Sequence, residues 1–91
     1  MPAYAAGMDN AADNAWAEEG GALRRRFVFK NFSEAFGFMT RVALLAEAQG
    51  HHPDWSNSWN TVDISLTTHS AGSTVTDNDR TFAAAIDKLV G

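Results

Sequence analysis

Apolar and polar residues alternate in the segment 23–30, LRRRFVFK, and this period of two is typical of a β-strand. One side of the strand carries Leu23, Arg25, Phe27 and Phe29. The other side is mainly basic, as expected for a face in contact with solvent. The pattern therefore predicts a strand with one buried side.

A second alternating segment, SWNTVDISLTTH, covers residues 58–69. Val62, Ile64 and Leu66 share one side, and the opposite side is polar and ends at His69. This alternation predicts a half-buried strand of the kind found in antiparallel sheets. The surroundings of Trp16 and Trp55 leave room for further short strands.

Between these strands, the apolar residues change to helical spacing, which predicts a helix over residues 32–49. Asn31 and Glu34 form a variant of the capping box at its start, and Gly50 suits the left-handed position that ends a helix. The apolar positions are Phe32, Ala35, Phe36, Met39, Val42, Ala43 and Ala46, widened by Phe38, Leu44 and Leu45. So broad an apolar surface predicts packing against both the sheet and another subunit.

The last part of the chain predicts a turn at residues 70–73 and a short amphipathic helix. Thr76 and Asp79 repeat the capping pattern before Phe82, Ile86 and Leu89. The order strand, helix, strand, helix predicts an α+β domain over residues 16–91, with helices on one face of an antiparallel sheet. Residues 1–15, rich in Ala, Asn and Asp, fit either a loose arm or a weak helix.

Composition narrows the class of protein. The 91 residues are 45% hydrophobic and 20% charged, which fits one folded domain. The absence of cysteine excludes disulfides, thiolate metal sites and a cysteine nucleophile. A net charge of −4 argues against general binding to nucleic acid or to anionic membranes. No apolar run approaches the roughly 20 residues of a membrane span, and we expect no signal peptide and a cytoplasmic location.

The three histidines are the candidate chemical groups. His51 and His52 are adjacent and precede Pro53, at the predicted helix end, and His69 closes the second strand. Histidine is the side chain best matched to proton transfer near neutral pH. If the two segments lie side by side, three imidazoles meet in one pocket, with Trp16 or Trp55 as an apolar wall for a flat ligand.

Simpler interpretations of these residues stay open at this point. Each histidine is compatible with an ordinary surface or hydrogen-bonded role. Three histidines are also ligands for zinc or copper, although adjacent rings meet one ion awkwardly. Asp79 is most simply a helix-capping carboxylate, and Trp59 is most simply a packing residue.

The sequence from about Trp16 to Leu89 resembles the pterin-4a-carbinolamine dehydratases. The motif that carries the resemblance consists of Ala46-Glu47, His51-His52-Pro53, Asp54-Trp55, Asn57, Trp59-Asn60, Val62 and Thr68-His69. The resemblance implies a four-stranded antiparallel sheet with helices on one face, and assembly into homodimers or homotetramers. It also implies removal of water from 4a-hydroxytetrahydropterin to give quinonoid dihydropterin, which recycles the cofactor of aromatic amino acid hydroxylases.

The resemblance also implies roles for individual residues, with no metal and no organic cofactor. The reaction is carried by His51, His52 and His69, with Glu47 in support. Trp16 matches the family's tryptophan before the first strand, and Asp79 matches a pocket aspartate that opens the last helix. The substrate contacts implied fall on Trp16 and Asp79 and on Gly50, His51, His52, Thr67, Thr68, His69 and Ser70.

The sequence departs from the family pattern in three places. Ser70 stands where an acidic residue is usual, the loop 70–76 is one residue longer, and the helix before Trp16 is short or degraded. A carboxylate at position 70 would pair with the donor edge of the pterin, so Ser70 bears on substrate affinity.

Two other functions compete with the enzyme. Some members of this family act as dimerisation cofactors for a homeodomain transcription factor through the subunit-packing helix, and helix 32–49 suits that role. The third interpretation is a small metal-binding protein that uses the same histidines. The histidine triad favours the enzyme, because a scaffold does not need it.

Overall fold

Four strands and two α-helices make up residues 16–90, the part of the chain that the computed structural model describes. The elements in chain order are β1 (Ala17–Glu19), β2 (Ala22–Val28), α1 (Phe32–Gln49), β3 (Asp54–Ser58), β4 (Thr61–Leu66), a 3₁₀ turn (His69–Ala71) and α2 (Asp77–Val90). This is the predicted α+β fold, and the short strands next to Trp16 and at Trp55 are present. The segment 1–15, for which an arm or a weak helix is expected, lies outside the described residues.

The strands form one antiparallel sheet in the order β1-β2-β4-β3. The register aligns Phe27 with Val62 and Leu23 with Leu66, so the apolar sides of β2 and β4 share one face. Both helices pack on that face. Their core consists of Leu23, Phe27, Ala35, Phe38, Val42, Ala46, Val62, Ile64, Leu66, Phe82, Ala83 and Ile86.

The strand β4 is shorter than the alternation of residues 58–69 predicts. Ser58 ends β3, and Trp59 and Asn60 form the turn between the two strands. Trp59 takes the left-handed conformation with φ of 51° and is 65% exposed, so the expectation that it is a packing residue is wrong. The amide of Asn57 donates to the carbonyl of Thr61 at 2.9 Å and stabilises this turn. The predicted strand was too long because Trp59 fits the alternation, so the pattern shows no break at the turn.

Helix α1 has the limits that the sequence predicts. The side chain of Asn31 accepts from the backbone N–H of Glu34 at 2.9 Å and caps the first turn. At the other end Gly50 has φ of 64°, and its N–H donates to the carbonyl of Glu47 at 3.3 Å. The next N–H, that of His51, donates to the carbonyl of Ala46 at 3.1 Å. These two bonds define a Schellman motif, which fixes the backbone direction of His51.

Candidate active site

Three segments of the chain meet where α1 ends. They are the loop 50–53 after α1, the connection 67–76 between β4 and α2, and the first turn of α2. Hydrogen bonds to the carboxylate of Asp79 join these segments. The site is therefore assembled by the ends of elements, where side chains are held by packed structure but remain near the surface.

His51 is held by a buried carboxylate. Its Nε2 lies 2.5 Å from Oδ1 of Asp79, a residue with no exposed surface. The ring of His51 also meets the ring of Phe82 edge to face, with 5.8 Å between centroids. About 14% of the His51 side chain is exposed, so the ring is fixed on one side and accessible on the other.

The second oxygen of Asp79 organises the start of α2. Oδ2 accepts the backbone N–H of Thr76 at 2.9 Å and the hydroxyl of Thr68 at 2.8 Å. The hydroxyl of Thr76 lies 2.6 Å from that of Thr68 and donates to it, because the Thr68 proton is already used. Asp79 therefore caps the helix with one oxygen and holds His51 with the other.

The pKa of Asp79 lies below its ordinary value. Burial acts in the opposite direction and raises it, because a charged carboxylate loses its hydration. The hydrogen bonds from Thr76, Thr68 and His51, together with the charge of His51, outweigh burial. The carboxylate is thus an anion that keeps its acceptor role toward His51 over the neutral pH range.

His52 and His69 are more exposed than His51 and also face carboxylates. Nε2 of His52 lies 3.0 Å from Oε1 of Glu47, in the last turn of α1. Nε2 of His69 lies 3.6 Å from Oδ2 of Asp54, the first residue of β3. About two thirds of each of the two histidine side chains is exposed. In all three histidines Nε2 is the nitrogen that faces an acid.

Thr67 and Ser70 occupy different positions in the connection 67–76. The hydroxyl of Thr67 donates to the carbonyl of Gly21 at 2.7 Å, so it ties the connection to the turn between β1 and β2. Gly21 lies so close to Ser73 that a Cβ on Gly21 would be 2.6 Å from the Ser73 carbonyl oxygen. Ser70 is exposed in the 3₁₀ turn beside His69. The β1–β2 turn therefore supports the segment that carries His69.

Trp16 contacts α2 and the hydrophobic core. Its Nε1–H donates to Oδ1 of Asp87 at 2.9 Å, and its ring meets Phe27 edge to face at 5.9 Å. Arg25 also donates to Asp87, at 2.5 Å. Asp87 follows Asp79 by eight residues on α2, which corresponds to about 12 Å along the helix. The described contacts of Trp16 are thus with the core and α2, and its expected contact with substrate stays a prediction.

A cavity of about 530 Å³ lies on the helix-free face of the sheet, lined by Arg24, Arg26, Asp63 and Ser65 among others. Asp54 borders it, but none of the three histidines lines it. Its lining includes both positively and negatively charged side chains, and Arg26 is paired with Asp63 at 2.8 Å. The three histidines with their carboxylate partners, rather than this open face, are therefore the candidate site.

The sequence profile described as pterin 4 alpha carbinolamine dehydratase matches residues 3–89. The chain belongs to this family. A provisionally named pterin-4-alpha-carbinolamine dehydratase of Rhodospirillum rubrum is 63% identical over 70 residues, covering 77% of this chain and 72% of the relative. A protein of the same name from Mesorhizobium japonicum is 49% identical over 89 residues, covering 98% of this chain and 90% of the relative.

Solved structures in the pterin dehydratase family share the fold. A Brucella melitensis structure described as a transcriptional coactivator/pterin dehydratase aligns with a TM-score of 0.80 and 42% identity, covering 89% of this chain and 87% of that chain. A pterin dehydratase-like protein, described as a RuBisCO assembly factor in the alpha-carboxysome, aligns with a TM-score of 0.73 and 30% identity. That alignment covers 85% of this chain and 90% of the other. The family thus includes proteins described by non-enzymatic roles.

Asp54 and Thr76 belong to the site although the sequence pattern indicates no site role for either. Asp54 follows the His51-His52-Pro53 motif directly, but nothing in the local sequence shows that it faces His69. Thr76 was recognisable as a helix cap, whereas its hydroxyl contact with Thr68 depends on the tertiary structure.

Within residues 16–90, no group of three or more His, Asp and Glu side chains could hold a metal ion. In the same range, no helix combines the length and apolar character of a membrane span.

Proposed function

We propose that this member of the pterin dehydratase family removes water from 4a-hydroxytetrahydropterin and gives quinonoid dihydropterin. In this way it would recycle the pterin cofactor of aromatic amino acid hydroxylases. The observation that carries the proposal is the hydrogen bond from His51 to the buried Asp79, next to His52 and within the family motif. A scaffold gains nothing from a histidine fixed in this way and left partly exposed.

The reaction requires two proton movements. An acid gives a proton to the 4a-hydroxyl, which leaves as water when the C4a–O bond breaks. A base takes the proton from N5, and the electron pair of the N5–H bond forms the C4a=N5 double bond. One proton is given and one is taken, so the reaction needs no other reactant. Side chains that exchange protons near neutral pH each contribute about 10²–10⁴-fold to such a step.

His51 and His69 are the proposed proton-transfer residues, with His52 assisting or orienting the substrate. His51 has a fixed ring, because it contacts both Asp79 and Phe82. His69 is exposed and lies near Asp54, which follows His51 by three residues. Which of the two is the acid and which is the base depends on the side from which the pterin binds.

Self-association through α1 is a second part of the proposal. Phe32, Phe36 and Leu44 on this helix are 49%, 55% and 68% exposed. The rings of Phe32 and Phe36 already pack on each other, with 5.8 Å between centroids. Exposed apolar side chains on one helix favour burial against another subunit, so we infer a homodimer or homotetramer.

The exposed face of α1 also favours one alternative function, that of a protein-binding cofactor. The Brucella melitensis structure is described by a coactivator role as well as by dehydratase activity. The same surface serves self-association and the binding of a partner helix, so the two uses compete. A dehydratase assay decides whether the enzymatic function is present.

The decisive experiment is a stopped-flow assay with freshly generated 4a-hydroxytetrahydropterin. We expect the protein to accelerate the spontaneous dehydration, measured by the absorbance of the quinonoid product. The matched control is the double variant His52→Gln, His69→Gln, in which both replaced side chains are exposed, so we expect it to fold. A wild-type protein no faster than buffer would show that the proposed activity is wrong. A wild type faster than buffer but no faster than this variant would show that His52 and His69 do not carry the activity.

A further inference from the structure

The three histidines share one orientation toward their acidic partners. Nε2 of His51 faces Asp79, and Nε2 of His52 faces Glu47. Nε2 of His69 faces Asp54 at 3.6 Å. A carboxylate next to one ring nitrogen keeps the proton on that nitrogen in the neutral imidazole. The other nitrogen, Nδ1, is then the atom with a free lone pair.

Asp54 is well placed to act on His69. Its backbone is anchored in the sheet, where it pairs with Ser65 of β4, four residues before His69. Pro53 restricts the preceding residue to extended conformations, so the turn from the His51-His52 segment into β3 is stiff. The side chains of Asp54 and His69 are 67% and 70% exposed, so a substrate can approach the pair from solvent.

We propose that Asp54 is a positioning residue that fixes the proton of His69 on Nε2 and makes Nδ1 the atom that exchanges a proton with the pterin. This inference rests on the proposed function of His69. When Nδ1 accepts a proton, the imidazolium lies next to the Asp54 carboxylate and is attracted to it. When Nδ1 gives the proton back, the Nε2 proton stays where it was. Asp54 itself neither gains nor loses a proton.

The contact is 3.6 Å long and both side chains are exposed, so its strength is that of an exposed ion pair. Such contacts often tighten when substrate excludes water. We expect a fivefold to tenfold change in rate, which corresponds to about 1–1.4 kcal/mol, between the upper end for an exposed ion pair and the lower end for a charged hydrogen bond. The expected effect on kcat is therefore measurable but smaller than that of removing His69.

The test compares three variants of the whole chain. Asp54→Ala removes the carboxylate, and Asp54→Glu keeps the charge on a longer side chain. Asp63→Ala is the control, because it also removes one exposed carboxylate from the same sheet, one that pairs with Arg26 rather than with a histidine. Long-range ¹H–¹⁵N spectra of the imidazoles at about pH 8.5 report which ring nitrogen carries the proton.

In the wild type and in Asp63→Ala, we expect the His69 proton on Nε2. In Asp54→Ala the His69 signals should move toward a mixture of both tautomers, while the His51 signals stay in place. In the stopped-flow assay Asp54→Ala should lower kcat about fivefold to tenfold with KM unchanged, and Asp54→Glu should recover most of that loss.

Two results would overturn the inference. One is a His69 spectrum in Asp54→Ala identical to that of the wild type. The other is a loss of kcat in Asp63→Ala as large as that in Asp54→Ala. A wild-type protein without dehydratase activity would refute the proposed function alone, and the spectra would then decide whether Asp54 sets the proton on His69.

Discussion

Nε2 of His51 and Oδ1 of Asp79 are 2.5 Å apart, although the two residues are separated by 28 positions in the chain. This contact links the end of α1 to the first turn of α2. Because Asp79 also caps α2 through Thr76, the same carboxylate sets the start of a helix and the orientation of a histidine. Substitutions at either residue should therefore affect stability and activity together, in proportions that differ between them.

Replacing His51 tests its proposed role in proton transfer. We expect His51→Ala to lower kcat by about 10²-fold or more. It should also lower the free energy of unfolding by about 1–3 kcal/mol, because Oδ1 of the buried Asp79 loses its partner. His51→Gln can restore a donor but not the proton exchange, so it should recover stability without activity. An active His51→Ala protein with normal thermal unfolding would exclude His51 from the mechanism.

Asp79→Asn should produce a pH-dependent loss of stability. The pKa of Asp79 is lowered in the folded protein, so its charge stabilises the fold above the unfolded-state pKa of about 3.9. That contribution is lost as the pH falls through the lower, folded-state pKa. Urea unfolding of wild type and variant should therefore show a large difference near pH 7 that shrinks below about pH 4. A difference that stays constant over this range would contradict the assignment of a charged Asp79.

The two glycines of the β1–β2 turn separate backbone strain from steric contact. Gly20 and Gly21 both have positive φ, 58° and 80°. A Cβ on Gly20 meets nothing within 4 Å, whereas one on Gly21 lies 2.6 Å from the Ser73 carbonyl oxygen. Gly20→Ala should destabilise by about 1 kcal/mol and Gly21→Ala by about 1–3 kcal/mol more. Thermal unfolding measures the loss of stability in both variants. Equal losses would mean that the close approach of Gly21 to the Ser73 carbonyl adds no steric cost.

Ser70 is expected to affect substrate affinity. A carboxylate accepts two donors from the edge of a pterin, and charged hydrogen bonds contribute about 1.5–3 kcal/mol against about 0.5–1.5 kcal/mol for neutral ones. Ser70→Glu should thus lower KM about threefold to thirtyfold with little change in kcat, because that edge is remote from the breaking bond. Ser58→Glu is the control, since it adds the same charge at the far end of β3, about 13 Å from Asp54. An unchanged or higher KM in Ser70→Glu would mean that this position does not face the pterin edge.

The exposed face of α1 predicts the assembly state. Analytical ultracentrifugation of the wild type should show a dimer or tetramer at micromolar concentration. Phe36→Glu places a charge among the exposed apolar residues and should shift the protein to a smaller species. Ala48→Glu, at an exposed position near the end of the same helix, should leave the number of subunits in the assembly unchanged. A monomeric wild type would contradict the proposed interface.

Most of the local structure was predictable from the sequence, because spacing and capping act over a few residues; the turn at Trp59 and Asn60 was missed, because Trp59 fits the alternation. Helix α1 has the predicted limits, since Asn31 and Gly50 carry the signals that start and end a helix. The apolar sides of β2 and β4 followed from alternation, and the core uses those residues. The motif around His51, His52 and His69 indicated the family, and the match of the family profile to residues 3–89 confirms it.

Only the tertiary structure decided which side chains meet. The local sequence around Asp79 is that of a helix cap whether or not its second oxygen faces His51. The approach of Asp54 to His69 follows from the pairing of β3 with β4, and the hydrogen bond of Trp16 to Asp87 follows from the packing of α2 on the sheet. Such contacts join residues far apart in the chain, so they depend on how the elements pack and leave no signal in local spacing.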